Sequence, residues 1–261
     1  MIEFILAFIV SLFAGLVGSM VGVGGGIING PFLSYLDYIP SQISSTSLLA
    51  VMSTSVSSSA QYVRKRLVNY KTGLALACSS IPGTVIGVQL SNFMSIEQFR
   101  YYFGIILAST AIYLILRKNL INSRKGDESI TRVFDNKLKF TIFVILSFFA
   151  GIISSSFGVG GGIIYVPCLV ILMRFSMKAS TATSQFVLIF TSLSGVILFA
   201  LQGWPDYQMG IVLSIGSLIG GTAGSLLALR VDSSKILILF SLVLLVVSVK
   251  VFYDGFFGFR T

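Results

Sequence analysis

The chain has 261 residues, of which 55% are hydrophobic and 10% are charged; its mean hydropathy is +0.94 and its formal net charge is +9. Too few polar residues remain to cover the surface of a soluble protein of this length, so the composition excludes a water-soluble fold and predicts an integral membrane protein. Both cysteines lie in apolar segments and histidine is absent, which excludes a disulfide framework and the usual zinc spacings.

Ten apolar stretches follow one another along the chain, and each is predicted to be helical. Their approximate bounds are 2–21, 25–38, 43–63, 72–90, 98–116, 139–157, 161–173, 180–201, 209–229 and 236–253. A helix needs about 20 residues to cross a hydrocarbon core of about 30 Å. The second and seventh stretches are therefore too short to span comfortably, and these two begin at clusters of glycine.

The two glycine clusters belong to an internal duplication. Ser11–Pro31 aligned with Ser147–Pro167, at an offset of 136, is identical at 13 of 21 positions, and the match continues downstream at an offset of 137. We therefore divide the chain into a first repeat (1–118), a linker (119–138) and a second repeat (139–261). Each repeat has about five helical segments.

Lysine and arginine set the expected orientation, because cytoplasmic loops are enriched in both. The linker from Arg117 to Lys139 carries seven basic residues and is predicted to be cytoplasmic. Counting crossings outward from it places every strongly basic loop on the same side. The two repeats then have opposite orientations, with both termini outside a plasma membrane. The net charge of +9 is thus a topology signal, and nucleic-acid binding is not expected.

Each glycine cluster holds four glycines in five residues, at Gly22–Gly26 and Gly158–Gly162. Glycine interrupts helices, and a broken or re-entrant helix would expose unpaired N–H groups at the positive end of its dipole, which suits a small oxyanion. The alternative is close helix packing, which we expect for the spaced glycines of the fourth and ninth stretches. The candidate binding glycines are Gly24, Gly25, Gly26, Gly160, Gly161 and Gly162.

Hydroxyl groups dominate the third stretch, where ten of the sixteen residues from Ser44 to Ser59 are serine or threonine. Several recur at the matching positions of the eighth stretch. Such hydroxyls can line a pathway, or can bond back to their own helix or to a neighbouring helix. The candidate substrate-binding residues in these two stretches are Thr46, Ser47, Thr54, Thr183, Ser184, Gln185 and Thr191.

No charged residue lies near the middle of any stretch, so the predicted site is neutral and rich in donors. No paired carboxylates, Ser/His pair or metal-ligand cluster is present to carry catalysis, and neither an enzymatic activity nor a metal or cofactor is expected. Inverted repeats with interrupted helices are typical of secondary transporters, whose halves rock about a shared midplane site.

The GVGGG motif followed by a proline in each repeat (Pro31 and Pro167), and the Thr-Ser dipeptide about twenty residues later, resemble the TauE/SafE sulfite-exporter family over nearly the whole chain. The resemblance implies an all-α plasma-membrane permease that exports small sulfur-containing anions such as sulfite or organosulfonates. An anion channel, or a carrier for another small oxyanion or carboxylate, is the alternative. Asn29 in the first repeat stands where the second has Tyr165, so the two half-sites are not equivalent.

Overall fold

The computed structural model describes residues 2–36, 38–121, 137–230 and 233–258, and every regular element in these ranges is an α-helix. The predicted linker residues 122–136 lie outside these ranges. The helices are α1 (Ile2–Val21), α2 (Gly26–Ser34), α3 (Pro40–Arg64), α4 (Tyr70–Phe93), α5 (Ile96–Ile121), α6 (Lys137–Phe157), α7 (Gly162–Ile171), α8 (Met177–Ala200), α9 (Tyr207–Arg230) and α10 (Ser233–Gly258).

Local capping chemistry explains where several helices begin. Pro40 occupies the first position of α3, where its missing N–H has no intrahelical role. The side chain of Asn69 accepts a hydrogen bond from the Thr72 N–H at the start of α4. Ser176 accepts one from Ala179 at the start of α8. Hydropathy marks only the part of a helix that lies in hydrocarbon, whereas caps set its ends; the helices therefore extend beyond several of the predicted stretches.

Helix lengths confirm the expectation of a multi-pass membrane protein. Among the described residues, α1, α4, α8, α9 and the segment Phe140–Phe157 of α6 are long and apolar enough to cross a membrane. Large apolar side chains such as Ile9, Ile211 and Ile215 are exposed on these helices, as required on a lipid-facing surface. As predicted, α2 and α7 are short, with 9 and 10 residues.

The serine-rich helix α3 packs inside the bundle, against α2, α8 and α9. Thr54, Ser55 and Ser58 on this helix are fully buried. Its 25 residues are enough to cross a membrane. Protein neighbours, rather than lipid, therefore surround much of its polar surface.

Helix contacts follow the sequence repeat. The pairs α1 with α9 and α6 with α4 correspond under the repeat, as do α3 with α9 and α8 with α4. Equivalent helices also pack against each other in opposite directions. Leu48 and Ser58 of α3 meet Gly195 and Gln185 of α8, respectively, so these two helices are antiparallel.

The same reversal holds for α5 and α10. In α5, Gly104 packs against Phe252, while Tyr101 packs against Gly255, so residue numbers rise along one helix as they fall along the other. Equivalent helices with opposite directions are the arrangement expected of inverted repeats.

Glycines on α4 and α9 let neighbouring backbones approach closely. A Cβ on Gly83 would collide with the carbonyl oxygen of Phe148 in α6, and one on Gly220 would collide with that of Leu12 in α1. The packing role predicted for these spaced glycines is confirmed.

Candidate functional site

Two interruptions of the helices lie at the glycine clusters. Helix α1 ends at Val21 and α2 begins at Gly26, whereas α6 ends at Phe157 and α7 begins at Gly162. We call residues 22–25 the first break and residues 158–161 the second break. Positive φ angles occur at Gly22 (85°) and Gly24 (81°) in the first break, and at Gly158 (66°), Gly160 (93°) and Gly161 (76°) in the second. Residues with side chains rarely adopt these angles, so glycine is required for this backbone path.

The two breaks lie against each other. A Cβ on Gly26 would collide with the carbonyl oxygen of Gly158, and one on Gly162 would collide with that of Gly22. Where the breaks cross, the Cβ positions of Gly24 and Gly160 both face the side chains of Val51 in α3 and Leu188 in α8. Gly24 is equivalent to Gly160 under the repeat, and Val51 is equivalent to Leu188. The first turn of each short helix therefore begins beside the other repeat's break.

Two serines bind the carbonyl groups of the opposite break. The Ser47 hydroxyl donates to the carbonyl oxygen of Gly158 at 2.8 Å, and the Ser184 hydroxyl donates to that of Gly22 at 2.6 Å. These serines are equivalent under the repeat, as are their acceptors. Both predicted residues thus lie at the breaks, where they hold one repeat against the other and satisfy carbonyl groups that the interrupted helices leave free.

The N–H groups at the start of the short helices have no such partners. Within the described residues, the N–H groups of Gly25, Gly26 and Ile27 donate to no acceptor. The same is true of the N–H groups that open α7, those of Gly161, Gly162 and Ile163. Each set combines unpaired donors with the positive end of a helix dipole, and together these features favour an anion.

Gln185 braces the first break. Its side-chain nitrogen donates to the Gly18 carbonyl oxygen at 2.9 Å, and its side-chain oxygen accepts from Ser58 at 3.1 Å. The Gly18 carbonyl also accepts from the N–H groups of the first three residues after α1. The position equivalent to Gln185 in α3 is Leu48, which cannot form such a bridge. The brace therefore belongs to one repeat only.

The predicted threonines have varied surroundings. Thr46 and Thr183 accept hydrogen bonds from the backbone N–H groups of Asp206 and Asn69, at 3.2 and 3.1 Å, and so tie the starts of α9 and α4 to α3 and α8. Thr54 donates to a carbonyl in its own helix and lies beside Gly25. The structure thus brings Thr54 to the first break.

Thr191, the equivalent of Thr54, also bonds back to its own helix, with carbonyl oxygens 3.4 Å away. Its hydroxyl lies beside that of Tyr165 in α7. Helical back-bonding, the alternative raised by the sequence, therefore applies to both threonines.

Sequence reasoning did not place Asn29 or Tyr165 among the candidate binding residues. Both are fully buried, at 0% exposure, in the first turns of α2 and α7. Neither side-chain amide atom of Asn29 has a hydrogen-bond partner, and the Tyr165 hydroxyl has none either. The signal available in the sequence was the mismatch between the two repeats at this position.

Charged side chains lie at the ends of the bundle. Every buried polar side chain among the described residues is uncharged. Near the end of α2, Tyr35 donates to Asp254 at 2.8 Å while Arg100 and Lys250 lie over its ring. Burial, together with Asp254, raises the pKa of Tyr35 to about 12. No group of three His, Cys, Asp or Glu that could hold a metal occurs in the described part of the chain.

The family described as "Sulfite exporter TauE/SafE" matches residues 7–251. The chain belongs to this family. Among curated relatives, the probable membrane transporter YunE of Bacillus subtilis is 28% identical, over 98% of this chain and 100% of its own length.

Two further relatives have similar names. YfcA of Escherichia coli is 25% identical over 95% of this chain and 89% of its own length. YdhB of Bacillus subtilis is 25% identical over 84% of this chain and 88% of its own length. Both are described as probable membrane transporter proteins. The TauE/SafE member described here is therefore a membrane transporter and not an enzyme.

Proposed function

We propose that this protein is a secondary transporter that exports small sulfur-containing anions, such as sulfite or organosulfonates, and that the anion binds where the two breaks meet. The observation that carries the proposal is the pair of unpaired N–H sets that open α2 and α7. They lie in a core where the described polar side chains carry no charge. The family's sulfite-exporter description supports the choice of substrate and direction.

Electrostatics explains why such a site suits an anion. Each short helix places roughly half a positive elementary charge at its first turn. Because no carboxylate lies in the described core, nothing there opposes this potential, and the anion supplies the only full charge. Serine hydroxyls already bind the carbonyl oxygens of Gly22 and Gly158, so those negative dipoles are partly compensated.

The packing supports two inverted repeats that alternate access to this site. Equivalent helices run antiparallel, and the breaks contact each other at Gly26 with Gly158 and at Gly162 with Gly22. Closely packed backbone at the crossing obstructs an open conduit. Transport then requires the repeats to move relative to each other, as in a carrier. This contact favours a carrier over a channel.

The loops support the proposed orientation. Tyr38 donates to Asp206 at 2.6 Å and Asn92 donates to Gln202 at 2.8 Å, so loops of both repeats that contain no lysine or arginine meet at one end of the bundle. At the opposite end, Lys178 donates to the carbonyl of Leu229. We propose that the protein lies in the plasma membrane with its basic end in the cytoplasm. Both termini then lie outside the cell.

Flux measurements in proteoliposomes test the proposal. We expect saturable sulfite or sulfonate flux in the wild type, and a loss of about tenfold or more in Gly25→Leu, whose side chain would cover the N–H groups of α2. Gly25 has a φ of −79° and its Cβ position meets other atoms only at 3.4 Å, so Gly25→Ala is the matched control that retains the fold. Unchanged flux in Gly25→Leu would show that the anion does not bind at the breaks.

A further inference from the structure

We infer that Asn29 selects the substrate: its side-chain amide binds anions that carry a hydrogen-bond donor of their own, such as hydrogensulfite or a hydroxyalkylsulfonate. This inference rests on the proposed function and assigns a substrate class to the same site.

Asn29 is a buried amide without a partner. It is fully buried, and both its Nδ2 and its Oδ1 lack hydrogen bonds. Because neither end of the amide has a partner, exchanging oxygen and nitrogen would not change this finding. Buried polar groups in native proteins are paired in the large majority of cases, so an amide unpaired at both ends points to a partner from outside the protein.

The direction of the side chain places the amide near the free N–H groups. Helical side chains lean towards the N-terminus, over the residues three and four positions earlier. For Asn29 those residues are Gly26 and Gly25, which have no side chains to block the approach. The hydroxyl of Thr54 lies 3.4 Å from the Cβ position of Gly25, so polar groups from α2 and α3 converge there.

The second repeat shows this direction explicitly. Tyr165 occupies the equivalent position in α7, and its ring atoms lie 3.0 and 3.2 Å from the Cβ position of Gly161. Its hydroxyl lies beside Ser80 and Thr191 but forms a hydrogen bond with neither. The tyrosine ring therefore covers the first turn of α7. Asparagine is much smaller than tyrosine, so the side chain at this position cannot cover the first turn of α2 to the same extent.

The unpaired atoms specify the ligand. The N–H groups of Gly25, Gly26 and Ile27, with the Asn29 amide nitrogen, are donors that suit oxyanion oxygens. The Asn29 carbonyl is an acceptor and needs a donor. A fully deprotonated oxyanion would leave it unpaired, and that discriminates strongly against such a ligand. An anion with one O–H group would satisfy both ends of the amide.

A pair of sulfonates that differ in one hydroxyl group tests this inference. Binding of ethanesulfonate and of 2-hydroxyethanesulfonate is measured by thermal shift and by competition with sulfite flux. We expect the wild type to bind the hydroxylated anion at least tenfold more tightly. Asn29→Leu has a similar volume and no hydrogen-bonding groups; we expect it to lose that preference while its ligand-free melting temperature stays the same or rises.

Controls separate selection from structure. The control is Ser34→Ala in the same helix. The Ser34 hydroxyl already donates to the carbonyl oxygen of Pro31, so its removal should leave the preference between the two sulfonates unchanged. Equal binding of both sulfonates by the wild type, or sulfite binding without either sulfonate, would overturn the inference alone. A preference that survives in Asn29→Leu, or a lower ligand-free melting temperature in that variant, would also overturn it. If the wild type responds to none of the three anions, the proposed function fails as well.

Discussion

The two breaks share the sequence GVGGG but differ in conformation and in surroundings. Gly25, the last residue of the first break, has a φ of −79°, whereas its equivalent Gly161 has a φ of +76°. The first break is braced by Gln185, and an asparagine lies in the helix that follows it; the second is covered by Tyr165. The glycines are thus the same in both repeats, whereas the backbone angle at the last residue of each break and the surrounding side chains have diverged.

The first test concerns the contact between the two breaks, where we expect the largest effects. Gly26→Leu and Gly162→Leu would each push a side chain into backbone of the opposite break, at Gly158 and Gly22 respectively. Backbone cannot move aside as a side chain can, so we expect each variant to lose at least about 3 kcal/mol, the upper end for overpacked cores, and to lose transport. Melting temperature in detergent and flux in proteoliposomes measure the two effects.

Equal losses of stability and flux in Gly26→Leu and Gly162→Leu would indicate that the two breaks depend on each other in the same way. Gly203→Ala provides a control for adding a methyl group elsewhere, since nothing lies within 4 Å of its Cβ position, although its φ of +76° adds some strain. Normal stability in either leucine variant would contradict the contact between the breaks.

The brace at the first break provides the second test. Gln185→Leu removes hydrogen bonds to Gly18 and from Ser58, at about 1 kcal/mol each, so we expect a loss of about 2 kcal/mol. The control is Leu48→Met, at the position equivalent to Gln185 in the other repeat. It keeps an apolar side chain of similar volume and should change the free energy of unfolding by less than about 1.5 kcal/mol. Chemical denaturation of the two variants measures the difference. Equal losses would show that Gln185 acts only by filling space.

Backbone conformation provides the third test, through the same substitution in both breaks. Gly161→Ala forces a side chain into a left-handed conformation, which costs about 1–2 kcal/mol. Gly25→Ala has a right-handed conformation and ordinary contacts, so we expect a change within about 0.5 kcal/mol, or a small gain from a stiffer unfolded chain. The difference in melting temperature between these variants measures the asymmetry. Identical shifts would mean that the two breaks adopt the same conformation.

These differences also mark how far the sequence alone leads. Hydropathy and glycine spacing predict ten helices and both interruptions. These features can be predicted because the hydropathy of a segment and the absence of a side chain at glycine are properties of the local sequence. The roles of Thr46 and Thr183 could not be predicted, since their partners lie about 160 and 114 residues away in the chain. The unpaired state of Asn29 depends on every neighbour in three dimensions, and the repeat mismatch indicates only its position.

The far end of the first short helix provides the last and smallest test. Tyr35 follows α2 and donates to Asp254, whereas the equivalent position at the end of α7 is Ile171. The pKa of Tyr35 is raised from 10.0 to about 12, chiefly by burial and then by Asp254. A raised pKa in the folded state means that the stabilisation is complete below pH 10 and is lost as the pH rises towards 12. Because Tyr35 is partly exposed, we expect at most about 1 kcal/mol. Tyr35→Phe should therefore lower the melting temperature slightly at pH 8 and flatten its decline above pH 10. An unchanged alkaline decline in this variant would show that the hydrogen bond from Tyr35 to Asp254 does not stabilise the contact between the end of α2 and α10.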